Sequence, residues 1–395
     1  MKSSIRLLIT IPSVAALYGG PSKSVRELAQ ALGRQGTSVD FVTTNANGTE
    51  VLDVPLQTWV EETYYRLQYF SCNIWGDYKW SFPLARWLKA NLHHYDIVHI
   101  NAVFSLTNLP FYWYCRCQQV PYMVAPRGML EPWAIAYKSN KKRMYYQLFE
   151  RRALQQASAI QALASPEAKN IYTLGLNTPI ITISNGIHRQ DFERLEDPNL
   201  FYRYFPKTRG KTLLLFLGRI DPKKGLDLLA SAFAKVLTQY PNTHLVIAGP
   251  DNVGFLSTAK QYFQKAGCLQ SVMFTGLLTG NLKYSALAAA DLYIAPSYSE
   301  GFSMSVLEGM ASGLPCIITT GCNFPEADRA NAVRTVDISD AAITKALLEC
   351  LSDLPAAKAM GQRARQFVLE NYTWDRIATQ LVDVYTAILA EQHFP

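Results

Sequence analysis

The sequence contains no run of about eighteen apolar residues, the length a bilayer-spanning helix needs. Its amino terminus, Met1-Lys2-Ser3-Ser4 ahead of Ile5-Arg6-Leu7-Leu8-Ile9-Thr10, has no long apolar segment before a small-residue cleavage site, so it reads as a first strand and not as a signal peptide. Cysteine is sparse, seven in all, with no C-x-x-C pair. An odd count without metal-ligand spacing argues against a disulfide framework or a zinc site. Cys115-x-Cys117 falls in an aromatic, core-like helix, and reduced thiols in a cytoplasmic protein are expected. Several catalytic signatures are missing as well. Without G-x-G-x-x-G or G-x-x-x-x-G-K-[ST] the chain is neither a dinucleotide-binding Rossmann protein nor a P-loop enzyme. Without H-E-x-x-H or G-x-S-x-G it is neither a zincin nor an α/β-hydrolase. No D-x-D pair is present to hold a metal-bound diphosphate. No arginine tract or nucleic-acid motif occurs, so nucleic acid is not an expected partner.

What remains is an ordered chain, 49% apolar and 17% charged over 395 residues, which is too long for one core and implies two domains. Its net charge of +7 is uneven. Residues 1–190 hold 19 Lys and Arg against 11 Asp and Glu, while the remainder is one charge negative. A basic front half implies an anionic partner on that side. Two stretches there break the regular rhythm. One is aromatic, Trp59 to Trp87. The other, Lys138 to Arg152, sets Lys138, Lys141, Lys142, Arg143, Arg151 and Arg152 among Met144, Tyr145, Tyr146, Leu148 and Phe149. They suit a ligand cleft or an anionic membrane surface. They suit equally a solvated basic helix with aromatics packed under an insertion.

Short apolar runs alternating with helical patterns give an α/β class with parallel sheets covered on both faces. Strands are predicted at Ile5–Pro12, Ser38–Thr43, Asp96–Ile100, Tyr122–Ala125, Ser158–Leu163 and 180–183. The helix 22–34 buries Val25, Leu28, Ala29 and Leu32. The polar segment 191–209, interrupted by Pro198 and Pro206, reads as a linker. Strands then recur at Thr212–Leu217, His244–Ala248, Val272–Thr275, Asp291–Ala295 and Cys316–Thr319, and helices fill the chain after Ala341.

The chemistry-bearing stretch is Ser299-Glu300-Gly301-Phe302-Ser303-Met304-Ser305-Val306-Leu307-Glu308-Gly309-Met310, set between a strand and a helix. Free amides and the positive dipole end of that helix suit a phosphate. Glu300 and Glu308 suit the hydroxyls of sugar and ribose. Arg219 and Lys224 bracket another strand-to-helix turn at the same sheet edge and can neutralise a diphosphate. Gly19-Gly20-Pro21 forms a further such turn in the first half.

Together these residues resemble family 4 of the glycosyltransferases, retaining enzymes of the GT-B fold. The likeness runs from Gly19-Gly20-Pro21 through Gly218-Arg219…Lys224-Gly225, Phe274-Thr275-Gly276 and the two glutamates to Tyr372-Thr373-Trp374. It implies two Rossmann-like domains facing a central cleft, an acceptor domain at 1–190 and a nucleotide-sugar donor domain at 210–372. A carboxy-terminal helix, 373–395, would return to the first domain. Arg219 and Lys224 would bind the donor diphosphate and share catalysis with Glu300, which touches the donor sugar. Glu308 would hold the ribose and Leu277 would flank the base. Gly301, Phe302, Ser303, Met304 and Ser305 would offer backbone amides, and Gly19 and Gly20 would face the donor from the first domain. Many members carry a histidine where this chain reads Ala125-Pro126-Arg127-Gly128. Arg127 stays protonated and is no base, but it suits a leaving phosphate or an acidic acceptor. His99 and Asn101 are further acceptor-side candidates, although a strand histidine is as readily structural.

The implied reaction moves a hexose-type sugar from a nucleoside-diphosphate sugar to a saccharide or lipid-linked acceptor, with retention and without metal or cofactor. It belongs to polysaccharide, glycolipid or glycoconjugate synthesis, in a cytoplasmic protein peripheral on the inner membrane face. Rivals are a nucleotide-sugar epimerase, a phosphorylase, or a non-catalytic binding subunit of the same fold. In this reading the donor-site side chains line a solvent-filled cleft, so replacing them leaves the fold intact.

Overall fold

A computed structural model describes residues 4–73, 79–132 and 139–391. The chain divides into two compact units, Met1–Gly186 with Trp374–Pro395, and Ile187–Thr373. In the first, strands β1 (Arg6–Ser13), β2 (Ser38–Thr44), β3 (Trp59–Glu61), β4 (Arg66–Phe70), β5 (Ile97–Asn101), β6 (Tyr122–Ala125), β7 (Ala159–Ala162) and β8 (Ile180–Thr182) form one sheet in the order β8-β7-β6-β5-β1-β2-β4-β3. All its pairs are parallel except β3 with β4. The helix Gly20–Arg34 buries Val25, Leu28, Ala29 and Leu32 as its 3.6-residue spacing requires. Against it packs the helix Trp374–Glu391, whose stripe of Trp374, Ile377, Leu381, Tyr385 and Ile388 is buried. The Trp374 indole donates to Glu27 at 3.0 Å, and Arg34 pairs with Asp375 at 3.2 Å.

The second unit is a wholly parallel sheet of β9 (Thr212–Leu217), β10 (Thr243–Ala248), β11 (Val272–Gly276), β12 (Leu292–Ala295), β13 (Cys316–Thr319) and β14 (Arg334–Val336), in the order β11-β10-β9-β12-β13-β14. Side chains alternate across β9. Leu213, Leu215 and Leu217 join a core containing Val306, Leu307 and Met310, while Leu214 and Phe216 join one containing Leu229, Phe233 and Leu347. Burial on both faces accounts for the apolar runs of the inner strands β9, β10, β12 and β13.

One expectation changes, and the structure bears on two stretches left open above. Residues 191–209 are no linker. Gln190–Glu193 and Pro198–Tyr204 are helical, and Phe192 and Phe201 are buried in the second unit. Pro198 opens its helix instead of breaking one, because the Asp197 carboxylate accepts from the Asn199 amide at 2.9 Å and proline lacks only an amide that a first turn leaves unpaired. The aromatic insertion largely packs. Phe70 and Tyr65 are buried, and the Trp59 and Trp87 rings meet edge-on at 6.0 Å. Its ill-defined period is that of an edge hairpin followed by the helix Phe82–Asn91; Trp75 and Tyr78 lie outside the described residues. In the basic stretch, Lys138 and the side chain of Lys141 also lie outside them. The rest is helical, with Met144, Leu148 and Phe149 exposed.

Candidate functional site

In the second unit the helix Met304–Ala311 begins without a side-chain cap, so its first amides are open. The helix lies close on β12, since a Cβ on Gly309 would come within 2.9 Å of the Tyr293 ring. The preceding loop is held by backbone. The Glu300 N–H donates to the Gly321 carbonyl at 2.8 Å, and the Asn323 amide donates to the Glu300 carbonyl at 2.6 Å. The Phe302 ring stacks on Tyr372 at 5.9 Å and packs edge-on against Phe324, so this side chain anchors the loop and leaves only its backbone for a ligand.

Two ion pairs flank that helix. Lys224 donates to Glu300, which also accepts from the Ser297 hydroxyl at 2.8 Å. Lys283 donates to Glu308 at 2.8 Å. Gly225, in the left-handed region at φ 68°, lets the turn after β9 reach the loop after β12, where a Cβ would collide with the Pro296 carbonyl. Lys224, Glu300 and Glu308 are about nine-tenths buried, so they do not line an open, solvent-filled space as expected. Burial by itself raises the Glu300 pKa, but Lys224, Lys223 and the Ser297 hydroxyl outweigh it and hold the carboxyl below its ordinary value. Arg219 stands freer, with its guanidinium 4.0 Å from Asp221. Leu277 is exposed on the loop after β11. Ser303 is buried at the helix start, with Ser305 in hydroxyl contact at 3.2 Å and Met304 partly buried.

The first unit gathers a second polar cluster. Arg127 follows β6 with φ 54°, a conformation unfavourable for a non-glycine residue. Its loop is clamped by Glu167, which accepts from the Gly128 and Leu163 amides, both at 2.6 Å. Arg127 donates from Nε to Asn101 at 2.8 Å, and from one terminal nitrogen to Asn185 at 2.9 Å and Ser24 at 3.3 Å. The other terminal nitrogen is buried without a hydrogen-bond partner among the described atoms. Burial pulls the guanidinium pKa down to about 10. Ser24 lies early in the helix that Gly19 (φ 75°) and Gly20 introduce, which ties that turn to Arg127.

His99 is fully buried on β5 with Nδ1 2.8 Å from the Tyr385 hydroxyl. Burial, then Arg127, drives its pKa down to about 3, so it is neutral at ordinary pH and has no exposed surface for an acceptor. A base with a lowered folded pKa stabilises above its unfolded pKa of about 6.5 and loses that contribution as pH falls toward 3. His99→Gln should therefore flatten the stability profile between pH 6 and pH 4 by about 1.4 kcal/mol per pH unit in urea titrations. An unchanged slope would show that His99 protonates in the folded state.

Residues 203–367 match the family model described as glycosyl transferases group 1, and residues 18–191 match the model described as glycosyltransferase family 4. The chain belongs to glycosyltransferase family 4. This family 4 protein is similar to the phosphatidyl-myo-inositol mannosyltransferase of Propionibacterium freudenreichii subsp. shermanii, at 28% identity over 60% of this chain and 58% of that one. It spans about half the length of the curated relatives it matches. Among solved structures, sucrose-phosphate synthase from Thermosynechococcus elongatus superposes with a TM-score of 0.79 at 19% identity, over 98% of this chain and 100% of that one. HepE of Anabaena, in complex with UDP and glucose, superposes with a TM-score of 0.78 at 16% identity, over 97% and 100%. These likenesses establish the GT-B fold with its two Rossmann-like domains.

The family motifs did not point to Lys283, Asn185, Ser24 or Glu167. Lys283 lies on the helix Gly280–Ala289, which has no clear amphipathic period to show which face is buried. Asn185 was visible only as half of an Asn-Gly turn, and Glu167 as one acid in a short helix. Their roles depend on contacts 39 and 58 residues away in sequence.

Proposed function

We propose that the chain is a retaining glycosyltransferase that moves a sugar from a nucleoside-diphosphate sugar to a hydroxyl of a saccharide or lipid-linked acceptor. The observation that carries this is the uncapped helix start flanked by Lys224–Glu300 and Lys283–Glu308. Open amides and cations suit the diphosphate, while carboxylates paired with lysines suit sugar and ribose hydroxyls. In this reading Lys224 and Arg219 neutralise charge that grows on the diphosphate as the glycosidic bond breaks. Glu300 and the amides from Gly301 to Ser305 orient the reacting sugar, Glu308 holds the ribose and Leu277 flanks the base. In the first unit, Arg127 suits a leaving phosphate or an acidic acceptor. The leaving phosphate itself helps to deprotonate the acceptor on the same face, and retention follows. A lipid-linked acceptor is supported by relatives named for phosphatidyl-myo-inositol and lipopolysaccharide core. A UDP-type donor is supported by the UDP-containing neighbour.

The direct test is thermal denaturation with UDP, GDP and ADP. A nucleotide at about 100 times its Kd stabilises by about 2.7 kcal/mol. Product analysis by NMR should then show transfer with retained anomeric configuration. Activity should persist in EDTA, because side-chain cations do the neutralising. No stabilisation by any of the three nucleotides, or activity that returns only with Mg²⁺ or Mn²⁺, would overturn the corresponding part. Turnover of a nucleotide-sugar without an acceptor would favour an epimerase.

A further inference from the structure

Lys283 stands on the helix Gly280–Ala289, which follows directly on the loop that carries Leu277. That helix is pinned just beyond the lysine. The Tyr284 hydroxyl donates to Asp191 at 2.6 Å, and its ring meets Phe192 edge-on at 5.5 Å. The Ser285 hydroxyl donates to the Asp197 carbonyl at 2.7 Å and accepts from the Phe201 amide at 2.8 Å. The Lys283 ammonium lies 4.6 Å from the centroid of the Tyr284 ring and donates to Glu308 Oε1 at 2.8 Å. The two side chains of this pair are only 15% and 10% exposed. Folding alone does not call for it. Glu308 begins the last turn of the helix Met304–Ala311, where the negative end of the dipole disfavours a carboxylate. Desolvating both partners also costs about as much as their attraction returns, so an apolar pair of similar size would serve the core as well.

We propose that Lys283 is a positioning residue that aims the Glu308 carboxylate at the donor ribose and so makes the site select for ribose hydroxyls. This deepens the nucleotide-sugar reading of the site and rests on it. A glutamate side chain left to itself samples several rotamers. One charge-assisted hydrogen bond from a rigid helix holds the carboxylate plane in a single orientation. A hydroxyl that donates to a charged group so fixed is worth about ten- to a hundredfold in affinity. An analogue lacking the hydroxyl is rejected, because a mostly buried carboxylate is then left short of a donor. Leu277 and Lys283 lie on one continuous loop and helix, so base and ribose would be read by the same element. The competing use of this cation is direct contact with the diphosphate. That use predicts a different pattern, since a phosphate contact is indifferent to the sugar hydroxyls.

Isothermal titration calorimetry of the full chain compares UDP with its 2′-deoxy and 3′-deoxy forms, and GDP and ADP with theirs where UDP does not bind. The parent should bind the ribonucleotide about ten- to a hundredfold more tightly than the weaker deoxy form. Lys283→Met should lose most of that ratio by weakening the ribonucleotide while leaving the deoxynucleotides nearly unchanged. Lys283→Arg returns a cation to Glu308 and should recover part of it. Because Lys283→Met leaves a buried carboxylate without its cation, Lys283→Met/Glu308→Gln is the second variant. It should unfold nearer the parent's temperature and stay as unselective as Lys283→Met. An undiminished ratio in either folded variant, or a parent that binds ribo- and deoxynucleotides alike, would overturn the proposal. Equal weakening of both classes by Lys283→Met would also overturn it and assign the lysine to phosphate. A parent that binds none of the three nucleotides would overturn the donor reading itself, and the proposal with it.

Discussion

Replacing Lys224 by methionine is expected to lower kcat/KM by about two to three orders of magnitude, the loss usual when a preorganised charge is removed from a reacting group. It should also destabilise the protein. Glu300 would remain buried while losing its closest cation, and breaking one side of a buried pair costs about 3–5 kcal/mol. Lys223 also faces Glu300, which puts the expected loss near the lower end, about 3 kcal/mol. The two effects separate in the double variant Lys224→Met/Glu300→Gln. With neither charge left to bury, most of the stability should return while turnover stays low. Arg219→Ala serves as the contrast. Its side chain is partly exposed and only loosely paired, so it should fold as the parent does while losing donor affinity and kcat together. Glu308→Gln should mainly raise donor KM, since ribose contacts change little between ground and transition states. Urea titration, nucleotide shifts and steady-state kinetics read all of these. A folded Lys224→Met with unchanged nucleotide shift and turnover would move the donor site elsewhere.

The sheet strands were most legible where both faces are buried, because β9, β10, β12 and β13 are apolar runs that no other element competes for. Two strands were missed for other reasons. Arg334–Val336 is only three residues long and nowhere fully buried, and Arg66–Phe70 lies among aromatic residues that hide its alternation. The site was legible as motif positions but not in its electrostatic state. Spacing placed Glu300 and Glu308 beside the helix start. Nothing in the spacing says that each carboxylate already holds a lysine, one of them Lys283 from a different helix. Such a pairing changes the expected outcome of mutagenesis, because groups that would be freely replaceable on an open surface become buried charges whose partners are left behind. The polar segment 191–209 shows a similar limit. Two prolines look like breaks until capping turns one of them into a helix start.

Arg127→Met is expected to abolish most turnover while leaving stability within about 2 kcal/mol of the parent, and the opposing terms explain why. The guanidinium pKa falls from 12.5 to about 10 through burial. A base with a depressed folded pKa is destabilising at every pH below that folded value, so the cost is fully present at neutrality. It amounts to about 3 kcal/mol at 1.36 kcal/mol per unit. Methionine removes that cost but leaves the Asn101 and Asn185 side-chain oxygens without their donor, each worth about 1–3 kcal/mol. The terms nearly cancel, and among the described residues no carboxylate hydrogen-bonds the guanidinium to tip them. A buried cation in a strained conformation with an unpaired nitrogen is therefore hard to account for by folding alone. Turnover should fall about a hundredfold or more, as for other charge-stabilising donors. Arg127→Lys should recover only part of it, because the ammonium cannot reproduce the fork that engages both asparagines. Arg127→His supplies a readout that a purely structural residue would not move. The parent has no group at this position that titrates below about pH 10, whereas the histidine variant should introduce a new limb in the pH–rate profile, below histidine's ordinary pKa because of burial. Unchanged turnover in a folded Arg127→Met protein would make the guanidinium a support for the loop and nothing more.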